Sequence, residues 1–225
     1  MIQDKTEKRI AVFLIIVFIF GLIPILVIAK YNYPCADDFG FSAYSRIAWK
    51  ETHSLLQVLK GAIITVKDRW LGWQGTFSSI FVMALQPAIF GEAWYRVVPW
   101  IMIGVMSLSS AFLFHVILRA CMSVRKSIYV CITMLYLFFA LECMIDKTQG
   151  FFWFNGAAHY MIPHSVAVVL CGLIILLFKE DRHKIRRMLA ACVASLFVGG
   201  SNYVTGLSII ILFVVVLVVV IYLKR

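Results

Sequence analysis

The sequence predicts an all-α protein that crosses a membrane several times, and three observations carry that expectation. Hydrophobic residues make up 63% of the chain and charged residues only 14%, where an ordinary soluble domain carries about one quarter charged. Five apolar runs approach or reach the roughly 20 helical residues that a hydrocarbon core of about 30 Å requires, and mean hydropathy is +0.94. Lys and Arg concentrate in the short segments between those runs, as positive-inside topology demands.

Taken in order, residues 10–29 form the first run, preceded by Lys5, Lys8 and Arg9. It is longer than the apolar core of a signal peptide and no small-x-small cleavage pattern follows, so it reads as an uncleaved span. Residues 31–75 form a long first outer loop. Within it Leu55, Leu56, Leu59, Ile63 and Val66 recur at helical spacing with Gln57, Lys60 and Lys67 between them, which predicts an amphipathic helix lying along the membrane surface. Runs 97–118, 127–143, 161–178 and 203–223 are further spans. Stretches 76–90 and 188–198 are shorter, and at about 1.5 Å per residue each reaches only part of the way across.

Charge decides among topologies. Placing the N-terminus, residues 119–126, residues 179–187 and the terminal Lys224 and Arg225 in the cytoplasm puts 13 of the 21 Lys and Arg residues there against four acids, +9 of the net +10. That arrangement requires 188–198 to cross and 76–90 to enter and return. The expectation is therefore a single transmembrane domain over 1–225, with about six transmembrane helices plus a re-entrant or interfacial helix and an amphipathic first outer loop. The basic balance is topological and implies a lipid bilayer, not nucleic acid. Cys35, Cys121, Cys131, Cys143, Cys171 and Cys192 show no CxxC spacing, so neither a metal cluster nor a disulfide framework is predicted. No P-loop or Rossmann glycine pattern is present, which disfavours a soluble nucleotide substrate.

The polar residues left over gather on the outer face. Asp37 and Asp38 leave the first span among Tyr31, Tyr33, Phe39, Phe41 and Tyr44. Such a pair can cap a short helix. Partly desolvated, it can instead accept a proton from a hydroxyl or hold a divalent cation through oxygen ligands. A second cluster, Lys67 to Thr76, contains Arg69, Trp73 and Gln74; a membrane-interface belt accounts for much of it, while Arg69 could grip a phosphate oxygen. The third runs from Thr148 through Trp153, Asn155, His159 and Tyr160 to His164, and aromatic rings interspersed with amides suit a sugar-binding wall. Neither histidine has the spacing of a zinc site. Gly199, Gly200, Ser201 and Asn202 form a turn, or a break below the surface that lines a polar cavity.

The order of these motifs resembles that of GT-C type membrane glycosyltransferases. The likeness rests on the Asp37-Asp38 exit, Trp73-Gln74-Gly75-Thr76 opening a short helix, Phe152-Trp153-Phe154-Asn155-Gly156, and Gly199 to Asn202. It is nearest to bacterial multi-spanning proteins related to the GtrII-type glucosyltransferases. The resemblance implies transfer of a sugar from a polyprenyl-phosphate donor to an envelope glycan or lipid acceptor, at the outer face of a bacterial cytoplasmic membrane with the N-terminus cytoplasmic. Asp37 or Asp38 would be general base or ligand to Mg or Mn. Arg69, Trp73, Gln74, Trp153, Asn155, His159 and Asn202 would bind substrate. Thr76 and Tyr203 stand where relatives carry Arg and an acid, and relatives run longer, so the chain resembles an N-terminal portion. A non-catalytic translocator of lipid-linked sugar, or an accessory subunit, is the alternative.

Overall fold

The computed structural model describes residues 2–179 and 183–223; the charges expected at residues 180–182, Lys224 and Arg225 lie outside that range. Among the described residues the chain is helical, with no strand. α1 (Ile2–Ile28) is followed by α2 (Asp38–Phe41), α3 (Ala43–Thr52) and α4 (Leu55–Gly72). Next come α5 (Phe77–Met83), the 3₁₀ turns Pro87–Phe90 and Glu92–Val97, and α6 (Val98–Phe114), which runs on through a π turn to Cys121. α7 (Lys126–Glu142), α8 (Phe154–Lys179), α9 (Lys184–Gly199) and α10 (Tyr203–Leu223) complete the order.

Specific contacts set the helix directions. Glu7 meets Arg125 and Ser127 at the start of α7, while Gly21 lies against Phe138, Leu141 and Glu142 near its end. α1 and α7 are therefore parallel neighbours, and the missing side chain at Gly21 lets them approach. α6 runs the opposite way, with Tyr95 just before it bonded to Asp38 and Ala111 near its end accepting from Tyr129. α8 follows α6 in parallel, the Phe154 N–H donating to the Tyr95 hydroxyl and Gly172 packing on Phe112. α9 returns toward the Asp38 end, where Phe197 accepts from Ser78, and α10 turns back beside Leu170 and Leu173 through Ile209 and Phe213.

Among the described residues, four helical segments are long and apolar enough to cross a membrane: Asp4–Tyr31, Glu92–Cys121, Phe154–Lys179 and Tyr203–Leu223. Two expected spans fall short by length. α7 has 17 residues and α9 has 16, about 26 and 24 Å at 1.5 Å per residue. The fourth expected span differs at its start. The helix begins at Phe154, not residue 161, so Asn155, His159 and Tyr160 lie in its first two turns and not in a loop. Helix starts carry N–H groups without intrahelical acceptors, and here Tyr95 and Asp38 accept from Phe154 and Asn155.

The expected amphipathic helix is α4. It pairs closely with α3, Gly61 lying against the backbone of Tyr44 and Ser45, and it exposes Leu55, Leu56, Leu59 and Ile63. Stretch 76–90 is broken as expected of a segment too short to span. It starts beside α2, where Trp73 packs on Phe41, bonds the α9–α10 turn through Ser78, and comes back to α2 where Gln86 donates to Ser42. The core, centred on Ile80, Tyr95, Met102, Leu141 and Phe151, joins α1, α2, α5, α6, α7 and α8, with Val66 of α4 packed against it, while α9 and α10 share a smaller cluster with α8 around Leu170, Ala191 and Ala194. α10 has no buried residue; an all-round apolar helix of that kind suits lipid.

Candidate functional site at the Asp38 end

The two adjacent carboxylates have opposite environments. Asp37 is exposed and Asp38 is 0% exposed. The split begins in the backbone: Ala36 adopts the left-handed region at φ 50°, and the Cys35 N–H reaches forward to Asp38 Oδ2 at 3.1 Å. That tight turn directs successive side chains to opposite sides.

Asp38 is anchored by donors from three parts of the chain. Besides Cys35, the Tyr95 hydroxyl donates to Oδ2 at 2.5 Å and the Asn155 N–H to Oδ1 at 3.2 Å. Tyr95 in turn accepts from the Phe154 N–H at 2.7 Å. A carboxylate at a helix N-terminus also gains from the helix dipole, so Asp38 serves as an N-terminal cap for α8 supplied from a distant segment. Its own helix, α2, receives no side-chain cap from Asp37. Asn32 completes the anchor, donating to the Phe152 carbonyl at 2.9 Å, and Gln86 steadies Ser42, whose hydroxyl donates to the Asp38 carbonyl at 2.7 Å. Burial pushes the Asp38 carboxyl above the usual carboxylate range; the hydrogen bonds from Tyr95, Cys35 and Asn155 pull the other way without cancelling it, and the neighbouring Asp37 charge adds to the rise.

Asp37 is the available carboxylate. Its Oδ1 accepts from the buried Asn155 Nδ2 at 3.1 Å, so the α8 residue that caps through its backbone also braces the exposed acid through its side chain. Among the described residues Asn155 Oδ1 and the nearby Trp153 Nε1 are buried without a protein partner, as are Gln74 Oε1 and Thr76 Oγ1 at the entry to α5. Unpaired buried polar groups are costly and are expected to bond water or a ligand. Arg69 stacks its guanidinium over Phe41, 4.7 Å from the ring centroid, and Trp73 meets the same ring edge-on at 5.6 Å. The guanidinium also lies beside Gly40, and among the described residues it forms no salt bridge with either acid.

The remaining expected site residues divide. His159 Nδ1 lies 3.1 Å from Ser79 Oγ, linking α8 to α5 one turn below Asn155. Asn202 is buried, and its Oδ1 accepts from the Val204 and Thr205 N–H groups, which makes it the cap of α10. No sequence pattern marks Tyr95, Asn32, Ser42 or Gln86. Each is an unremarkable residue in an interfacial stretch, and only the approach of Glu92–Val97 to α2 and α8 gives Tyr95 its role.

No family model, curated protein or solved structure matches this chain. The fold and site define a class by themselves: an all-helical protein with membrane-length apolar helices and a polar junction, at one end, built on one buried and one exposed carboxylate.

Proposed function

We propose that this chain is the membrane domain of a glycosyltransferase that takes a sugar from a polyprenyl-phosphate donor at the outer face of a bacterial cytoplasmic membrane. The observation that carries the reading is the exposed Asp37 carboxylate, braced by buried Asn155, whose own Oδ1 lacks a protein partner. In the reaction the acceptor O–H gives its proton to Asp37 while its oxygen bonds the anomeric carbon. The carbon–oxygen bond to phosphate breaks with inversion, and the polyprenyl phosphate leaves with the electron pair. Holding both partners in line supplies much of the rate. Arg69, Trp73, Gln74, Trp153 and His159 belong to the substrate wall. A divalent cation, Mg or Mn, would bind through Asp37 if the donor needs one; Asp38 is already committed to Tyr95, Cys35 and Asn155.

The proposed topology has six crossings, with α7 and α9 completing theirs through flanking residues and 76–90 re-entrant from the outer side. The parallel α1 and α7 and the return of 76–90 to Ser42 support it. The N-terminus is then cytoplasmic. One observation favours the second reading, a translocator or accessory subunit: Asp38 is consumed by structure, leaving one free acid. Envelope glycan composition by mass spectrometry separates the two. A deletion strain complemented with Asp37→Asn should lack a sugar that the intact gene restores; full restoration by Asp37→Asn would favour the non-catalytic reading.

A further inference from the structure

A largely apolar cavity with several polar groups on its wall lies away from the Asp37 junction, among residues 143–150, α8 and the α9–α10 turn. Its volume is about 810 Å³, and its lining includes Asp146, Gln149, Tyr160, His164, Asn202 and Thr205. Tyr160 and His164 are one turn apart on α8. His164 follows Asn155 by nine residues, two and a half turns at about 3.6 residues per turn, which places it on the opposite face from Asn155. It also lies about 15 Å along the axis from the start of α8, inside a membrane-length apolar segment. Ionisable side chains at such depth are rare and mark polar cavities or pathways. Among the described residues nothing hydrogen-bonds the imidazole.

We propose that this cavity binds the uncharged, hydroxyl-bearing headgroup of a membrane amphiphile, with His164 and Tyr160 contributed by α8 and Asp146 and Gln149 by the preceding loop. The donor set selects that chemistry. Imidazole, phenol, amide and carboxylate together offer both donors and acceptors, which is what vicinal hydroxyls require. A phosphate would face Asp146, and the adjacent Lys147 is engaged by Glu142 at 3.0 Å. Asp146 Oδ1 accepts from the Gln149 N–H at 3.0 Å, leaving its second oxygen for a ligand. Met144, Met161 and Val204 supply an apolar portion of the lining for the start of a lipid tail. The site goes beyond the transferase reading and does not depend on it, because none of its residues touches Asp37 or Asp38.

Cys143 is exposed on the cavity lining and serves as reporter. In phosphatidylcholine nanodiscs, the full chain with its other five cysteines changed to Ser is alkylated by a maleimide in the presence of octyl glucoside below its micelle threshold. At a probe concentration of about twice the dissociation constant, alkylation slows about threefold. Octanol, octyl phosphate and octyltrimethylammonium should give little protection, and His164→Ala should abolish the glucoside effect at unchanged melting temperature. Gln149→Leu replaces it if His164→Ala does not fold. Equal protection by octanol, stronger protection by either charged probe, no protection at all, or protection undiminished in the folded variant would each overturn the proposal. Protection together with unchanged glycans in Asp37→Asn would leave this site standing and the transferase reading fallen.

Discussion

At the scale of single residues, the contrast between Asp37 and Asp38 makes separable predictions. Asp38→Asn replaces an acceptor oxygen with an NH₂ group facing donors, and leaving buried partners unsatisfied costs about 1–3 kcal/mol each. Melting of the purified protein in detergent should therefore drop clearly, and Tyr95→Phe should lower it by a smaller amount. The sign of the pH effect follows from the raised Asp38 carboxyl. Its contribution to stability is fully present below the ordinary value of 3.8 and is lost as pH rises through the higher folded-state value. Wild-type stability should thus decline over that window, and Asp38→Asn should flatten the decline; an unchanged slope would mean that Asp38 is not the titrating group. Ala36→Gly tests the left-handed turn that separates the two acids: it should hold or raise stability by up to about 1 kcal/mol. The acidic pair was legible in the sequence, but which acid is buried was not. That depends on Tyr95 and Asn155, 57 and 117 residues away, and no local pattern encodes such pairings.

At the scale of elements, periodicity located most helices and misjudged their ends. The apolar run beginning at residue 161 hid a helix that starts at Phe154, because its first turns are polar and are stabilised by acceptors from elsewhere. In sequence the Gly199-Gly200 segment reads either as a tight connector or as a break lining a polar cavity. In the structure it is a docking point: the Gly200 carbonyl accepts from the Ser78 N–H at 2.8 Å, and a Cβ at Gly200 would overlap the Phe77 ring. Gly200→Ala should loosen the contact between α5 and the α9–α10 turn by about 1–3 kcal/mol, as overpacking of a close contact does. Hydrogen exchange of residues 76–83 reports it, faster in the variant; Gly199→Ala, with open space at its Cβ, is the matched control and should leave exchange unchanged.

At the scale of the whole molecule, composition made the membrane class plain, while the number of crossings rests on helices of intermediate length that composition alone does not settle. Topology is open to direct measurement through two exposed cysteines at opposite ends of the bundle, Cys35 and Cys121. An impermeant maleimide applied to intact spheroplasts should label Cys35 and reach Cys121 only after permeabilisation; the reverse pattern would place the N-terminus and the Asp37 junction on the wrong sides. At that junction one carboxylate holds the fold, and the other is the one proposed to face substrate. The most direct test of that division of labour measures melting temperature and envelope glycan composition together for Asp37→Asn at matched membrane abundance. The expected result is an unchanged melting temperature and loss of a sugar that the intact gene supplies. An unchanged glycan profile, from a variant that folds as well as the wild type, would contradict it.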